Sequence, residues 1–488
     1  MLNRESVSLF GLLFGLFILS IFIFFEPPED LSSAAWMTAG IALLMTIWWV
    51  TEAIPIYLTG IVPIILFPLF NIFDLKLIAD SYAHPLVLLF LGGFIIAAAM
   101  QACGLHKRIA LNILSISGTS PRNIIAGFMI STSLVSMWVS NTASTIMMLP
   151  IALSVITIFS NQLNIKDKDF AIPLLLAVAY SASIGGAATL IGTPTNIMLA
   201  GILSDSYNYE ISFIDWLKIG LPTAIFLIPI VWFFLTNIIF KVTKKKSKSL
   251  SKIVSEMKVE IGCPSLSEKI VGIVFFLTAI LWIFRRPLNE MYNLSLNDTS
   301  IGLFGALLLF VIPVNKKDRA CTWETASKIP WGVLLLVGGG IALSKAFNLS
   351  GLALWIGSFS FYFNDYNIYI LIFISVALIL FLTELNSNTA TIATFAPILI
   401  IFSAGLNYNP LFFVIPATIA ASCAFMLPIA TPPNAVVFGS GRIKINDMIK
   451  AGFWLNIFSM LIITSVCLLV IGYVFDAEIS ILPSWASG

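Results

Sequence analysis

Trp138-Val139-Ser140-Asn141-Thr142-Ala143 lies at the centre of an otherwise apolar run, residues 123–160. Leu385-Asn386-Ser387-Asn388-Thr389-Ala390 lies at the centre of another, residues 367–403. A helix crosses the hydrocarbon of a bilayer in about 20 residues. Each run is too long for one crossing and too apolar to face water. Two readings fit. Each run could be two crossing helices with almost no loop, or a re-entrant hairpin that dips in and returns to the same side. Ser, Asn and Thr at mid-depth are tolerated where backbone is buried in protein or lines a cavity. The polar tips therefore favour hairpins.

The neighbourhood of each tip is duplicated. Val87-Leu-Leu-Phe-Leu-Gly-Gly matches Val333-Leu-Leu-Leu-Val-Gly-Gly, 246 residues on. Ser140-Asn-Thr-Ala matches Ser387-Asn-Thr-Ala, and Pro150-Ile matches Pro397-Ile, both 247 residues on. Gly192-Thr-Pro-Thr-Asn196 matches Ala430-Thr-Pro-Pro-Asn434, 238 residues on. The order is the same in both halves. An odd number of crossings separates the two interrupted runs, so the second copy is upside down. Inverted repeats with paired interrupted segments mark secondary transporters, with the site near the midplane.

Composition agrees. Of 488 residues, 59% are hydrophobic and 10% charged, with mean hydropathy +1.00. Soluble domains carry about 25% charge. The expected fold is an all-α polytopic membrane protein, with about 11 transmembrane helices plus two re-entrant helical hairpins in an elevator-type inverted repeat. Apolar segments fall at 6–25, 34–51, 54–72, 86–105, 173–203, 219–241, 268–285, 300–314, 331–348, 410–440 and 452–475. The run 6–25 reads as an uncleaved first helix, because no small-residue cleavage site follows it. Residues 1–85 read as first scaffold helices. Residues 86–240 form the first repeat, with hairpin 123–160 and broken helix 173–203. Residues 241–268 form a basic cytoplasmic loop and 269–330 further scaffold helices. Residues 331–475 form the second repeat, with hairpin 367–403 and broken helix 410–440, and 476–488 an extracytoplasmic tail.

With the N-terminus inside and the C-terminus outside, about 21 of the 26 Lys and Arg fall on the cytoplasmic face. Lys76, Lys218, Arg285, Arg286 and Lys345 stay outside. The location implied is a bacterial inner membrane. Hairpins and double crossings have the same parity, so charge fixes orientation without separating them. The five cysteines (Cys103, Cys263, Cys321, Cys423, Cys467) are scattered, and the histidines are only His84 and His106. That pattern suggests neither a disulfide framework nor a metal cluster. No nucleophile, base or metal cluster converges, so an enzyme is not expected, and no basic fold suits nucleic acid. Asn293-Leu-Ser295 and Asn297-Asp-Thr299 are weak glycosylation patterns in an outside loop.

The chemistry lies in the tips and in two Thr-Pro motifs. Proline removes a donor and clashes with the preceding turn, and the residue before it leaves the helical region. Thr193-Pro194 and Thr431-Pro432 should break their helices at mid-depth. Each break exposes carbonyls suited to a cation and amides suited to an anion. The tip asparagines and hydroxyls offer both kinds of group, and hard cations such as sodium take oxygen ligands. Two tips and two breaks would frame two cation sites around one substrate site. No Arg or Lys lies near the motifs, so half-helix ends and co-bound cations must compensate an anion. A lone Ser-Asn-Thr is usually a packing or capping feature, and a lone Thr-Pro a kink. Packing explains their duplicated, inverted combination poorly. Glu384, three residues before the second tip, could tune a cation site or take up a proton; equally, it could be a buried carboxylate capping the hairpin. Glu52 reads as structural, and the Lys241–Lys252 run as a solvated loop.

Trp138–Pro150, Ala182-Ser-Ile-Gly-Gly, Gly192–Asn196, Leu382-Thr-Glu-Leu-Asn-Ser-Asn-Thr389 and Ala421–Ala435 together resemble the divalent anion–sodium symporter (DASS) family, nearest its bacterial sodium–dicarboxylate subgroup. The resemblance runs from Thr51 to Lys444. It implies a homodimer, each protomer with a scaffold and a mobile transport domain. It implies one sodium near Ser136, Ser140, Asn141 and the Gly192 carbonyl, and another near Thr383, Asn386, Asn388 and the Ala430 carbonyl. Substrate carboxylates would meet Asn141, Thr142, Asn388 and Thr389, with Ser387 of the same tip. Thr193, Pro194, Thr431 and Pro432 would line the site. The family usually carries a small residue at the Asn386 position, so Asn386 is a departure.

The function expected is sodium-coupled symport of C4-dicarboxylates such as succinate, malate and fumarate. Exchangers of the family tend to lose sodium ligands or replace them with basic residues, and neither occurs here. Sulfate is the main rival substrate, and citrate and tartrate stay open. A channel is the alternative of another class, since re-entrant tips occur there too.

Overall fold

The computed structural model describes residues 4–118, 120–163, 169–243, 258–315 and 318–486. They are helical almost throughout; the sole β feature among them is an isolated bridge between Pro313 and Arg319. Among the described residues, eight helices are long and apolar enough to cross a membrane, and shorter apolar helices accompany them. Much of the basic residue set expected inside (Lys166, Lys168, Lys316, Lys317 and the run from Lys244 onward) lies outside the described residues.

The two repeats match element for element. The first runs through helices Pro85–Cys103, Leu105–Ile116, Pro121–Ser136, Asn141–Leu163, Ala171–Ala187, Pro194–Tyr207 and Phe213–Phe233. The second runs through Trp331–Ser350, Leu352–Ser358, Ile368–Thr383, Asn388–Gly405, Leu411–Ala421, Pro432–Phe438 and Ile445–Phe475. The match goes beyond the motifs. Pro85–Cys103 ends at Gly104 (φ 83°) and Trp331–Ser350 at Gly351 (φ 84°), 247 residues on. Both glycines sit in the left-handed region that terminates a helix without a Cβ penalty. A short helix leaves each at once, and these two helices are absent from the sequence reading.

One expected crossing is different. Residues 54–72 form two short helices, Ile56–Thr59 and Val62–Leu69, and not one span. Pro55, Gly60, Pro63 and Pro68 interrupt the run. Gly60 has a packing role: a Cβ on Gly339 would lie 2.1 Å from its carbonyl oxygen. Tyr82 Oη donates to that same oxygen at 2.6 Å. Small residues here let two backbones touch, as in membrane helix packing generally.

The broken helices occupy the centre. Every residue of Ala171–Ala187 is buried, and so is Thr195–Leu203. A helix apolar all round is one surrounded by other helices. By contrast, Arg4–Phe24 exposes Leu9, Phe10, Leu13 and Phe17 at 58–64%, the pattern of a peripheral, lipid-facing helix. Glu52 is the C-cap of Ser33–Thr51, in the left-handed conformation (φ 47°). His84 Nδ1 accepts from Leu86 N at 3.3 Å and so caps a helix too. Asn297 is an N-cap, its side chain accepting from Ser300 N at 2.8 Å.

Candidate transport site

Each broken helix parts where proline dictates. Ala171–Ala187 stops seven residues before Pro194, and Leu411–Ala421 stops eleven residues before Pro432. Thr193 (φ −143°, ψ 146°) and Thr431 (φ −140°, ψ 147°) are both extended N-caps with Pro at the first helical position. The two breaks therefore have the same backbone form.

An asparagine pins each break. Asn196 Nδ2 donates to the carbonyls of Gly186 (3.3 Å), Ala187 (3.2 Å) and Thr189 (2.7 Å). Asn434 Nδ2 donates to those of Ala424 and Leu427, both at 3.0 Å. The Gly186 and Ala187 carbonyls lie in the last turn of their helix, where intrahelical partners run out; those of Thr189, Ala424 and Leu427 lie in the breaks themselves. Both asparagines are part of the duplicated motif, but nothing in the motif itself says that they clasp the opposite lip of the break.

The first tip closes on the first break. Ser136 Oγ donates to Asn141 Oδ1 at 2.8 Å and to the Ala182 carbonyl at 2.7 Å. Thr189 Oγ1 donates to the Met137 carbonyl at 2.5 Å. A Cβ on Gly186 would lie 2.0 Å from Asn141 Oδ1, and a Cβ on Gly192 2.4 Å from the Gly186 carbonyl oxygen. Asn141 and Gly192 thus pack directly against Gly186, where only glycines leave room, and Ser136 reaches them through Asn141. Ser140 Oγ accepts from Ala143 N at 3.4 Å, so it also caps its helix. Thr142 follows it on the half-buried first turn.

The second tip is arranged differently. Thr383 Oγ1 donates back to the Leu380 carbonyl at 2.9 Å, leaving its lone pairs free to accept. Asn386 Oδ1 takes the Ser387 N–H at 2.8 Å, and Asn386 Nδ2 donates to Thr391 Oγ1 at 3.4 Å. Asn388 Oδ1 is buried with no hydrogen-bond donor. A buried carbonyl oxygen without a partner costs about 1–3 kcal/mol unless something electropositive meets it. It fits a cation ligand. Thr389 is buried behind it.

Glu384 joins this tip to the second break. Its Oε1 accepts from Phe425 N (2.8 Å), Met426 N (2.9 Å) and Asn456 Nδ2 (2.6 Å). Its Oε2 accepts from Met426 N and Leu427 N, both at 3.1 Å. The carboxylate is 3% exposed. Its partners lie on the second break and at Asn456, and not on its own hairpin. It holds the segment that leads to Ala430 and Thr431. The breaks also touch each other, Thr195 Oγ1 lying 3.2 Å from Ser422 Oγ.

Four helices start at Asn141, Pro194, Asn388 and Pro432, and four end at Ser136, Ala187, Thr383 and Ala421. Each half-helix reaches into the other repeat: Pro194–Tyr207 packs on Asn388–Gly405, and Pro432–Phe438 on Asn141–Leu163. Helix N-termini suit anions and helix C-termini cations. Leu385 at the second tip and Ile429 at the second break are exposed, at 66% and 59%.

Two inverted hairpins facing two broken helices define a secondary transporter. The chain belongs to the family described as the sodium:sulfate symporter transmembrane region, matched over residues 6–475, which is the divalent anion–sodium symporter family that its motifs resemble. It is 40% identical over 486 residues to the sodium-dependent dicarboxylate transporter SdcS of Staphylococcus saprophyticus, covering 97% of this chain and 93% of that protein. It is 39% identical over 485 residues to SdcS of Staphylococcus aureus strain USA300, with the same coverage. The crystal structure of the YdaH transporter of Alcanivorax borkumensis superposes with a TM-score of 0.59 at 13% identity, over 96% of this chain and 98% of that one. At that identity the likeness is one of fold.

Proposed function

We propose that this protein carries C4-dicarboxylates into the cell together with sodium, by alternating access. The observation that carries the reading is a site of paired half-helix N-termini and amide side chains to which no Arg or Lys is bonded among the described residues. An anion held without a fixed cation must bring its own countercharge. The names of the SdcS relatives support both the ion and the substrate class. Two tips set apart suit two carboxylates of one molecule, whereas sulfate is compact.

One sodium would take Ser136, Ser140, Asn141 and the Gly192 carbonyl as ligands; the other would take Thr383, Asn386, Asn388 and the Ala430 carbonyl. The carboxylates would meet Asn141, Thr142, Ser387, Asn388 and Thr389, between Thr193-Pro194 and Thr431-Pro432. The hairpins and broken helices would move as a transport body against the remaining helices. The protein would work as a homodimer in a bacterial plasma membrane, N-terminus inside and C-terminus outside.

Ligand-dependent melting of the purified protein tests substrate and coupling together, because a ligand that binds the folded form stabilises it by mass action. Succinate at about 100 times its dissociation constant should add about 2.7 kcal/mol and raise the midpoint in sodium but not in potassium. A shift produced by sulfate and not by succinate would transfer the site to inorganic anions. A succinate shift of equal size in both salts would make the protein an exchanger.

A further inference from the structure

We propose that Tyr180 is a positioning residue that couples the two cation sites, because its hydroxyl on the first broken helix holds the backbone of the second break at Phe425. The inference rests on the two-site reading above and adds a route between the sites.

Tyr180 is fully buried near the middle of Ala171–Ala187, the helix whose C-terminal end brings Gly186 against Asn141 of the first site. Its Oη donates to the Phe425 carbonyl at 2.8 Å. The two rings also touch, with centroids 4.6 Å apart at 42°. The Phe425 N–H is engaged separately, by Glu384 Oε1 at 2.8 Å and by Asn456 Oδ1 at 3.3 Å. Residue 425 is thus held at both backbone polar groups, by three elements from different parts of the chain. On a further side Gly452 closes against it: a Cβ there would lie 2.3 Å from the Phe425 carbonyl oxygen.

The grip reaches the second site through short connections. Asn434 bonds the Ala424 and Leu427 carbonyls on either side of Phe425, and Ala430 N donates to Leu427 O at 3.2 Å. A shift at Phe425 therefore moves the Ala430 carbonyl. Among the described residues, the Tyr180–Phe425 contact has no counterpart in the second repeat. The residue related to Tyr180 by the 238-residue repeat is Thr418, whose buried hydroxyl has no partner. A cation on the first site would steady Ala171–Ala187, and Tyr180 would pass that order to the second break. Binding at one site would then favour binding at the other, and the reverse must hold equally.

The test is the sodium dependence of radiolabelled succinate uptake in proteoliposomes holding wild type, Tyr180→Phe or Gly452→Ala. Tyr180→Phe removes one oxygen and keeps the ring. Gly452→Ala pushes the same carbonyl from another side and serves as an independent perturbation. For Tyr180→Phe the half-saturating sodium concentration should rise about threefold to tenfold, the factor that one buried hydrogen bond is worth. Its Hill coefficient should fall towards 1, with uptake at saturating sodium within about twofold of wild type. Gly452→Ala should shift the sodium curve in the same direction. A Tyr180→Phe curve that coincides with wild type overturns the coupling role. So does a lower maximal rate with the sodium curve unmoved, because that is the mark of a merely structural hydroxyl. A wild type indifferent to sodium would remove the two-site reading itself, and the coupling with it.

Discussion

Replacing Asn388 with alanine is expected to cut sodium-driven dicarboxylate uptake by about tenfold to a hundredfold, the loss of a contact worth about 1.5–3 kcal/mol to a charged group. The melting temperature should barely change. The reason lies in what Asn388 does without ligand: its Oδ1 is buried and accepts nothing. Removing it forfeits no bond of the resting protein, so the cost appears only when a cation or carboxylate binds. Asn141→Ala should lose transport to a similar extent but also about 1 kcal/mol of stability, because Asn141 Oδ1 accepts from Ser136 Oγ. Uptake assays and thermal unfolding on both variants separate the two effects. Normal uptake by both would remove the tip asparagines from the site.

Glu384→Ala should fail differently. Three backbone N–H groups and the Asn456 amide converge on that carboxylate. Alanine would leave buried donors without an acceptor at a cost of about 3–5 kcal/mol, a large share of any protein's stability. The yield of folded protein should drop, and the remainder should transport weakly. Glu384→Gln keeps the shape but turns an NH2 towards backbone donors. It should fold, melt lower than wild type and lose transport about tenfold or more, as one hydrogen bond to a charged group is worth. Glu384→Ala with wild-type melting and uptake would show that the second break is held by other means.

Much of this site was legible because the sequence contradicts itself there. Ser-Asn-Thr and Thr-Pro inside apolar runs make sense only where the backbone is broken on purpose, and their repetition in the same order, an odd number of crossings apart, implies the inversion. Hairpin arms ending at Ser136 and Thr383, and half-helices starting at Pro194 and Pro432, fall where those residues placed them. What stayed hidden is contact at long range. The N–H partners of Glu384 lie 41 to 43 residues away, and Asn456 lies 72 away on a helix without any motif. Periodicity carries no record of such pairs. The run 54–72 misled for another reason: apolar composition says that a segment is buried, while its prolines and Gly60 decide that it is not one helix. The short helices after Gly104 and Gly351 follow without a polar gap, and only the common 247-residue spacing of those glycines could have revealed them.

The most direct test is uptake of radiolabelled succinate by proteoliposomes under an inward sodium gradient, repeated with potassium in its place. Accumulation of succinate above the external concentration in sodium, and none in potassium, is the expected result. Uptake that proceeds equally in both salts, and only into vesicles preloaded with dicarboxylate, would contradict the account and dismiss both cation sites.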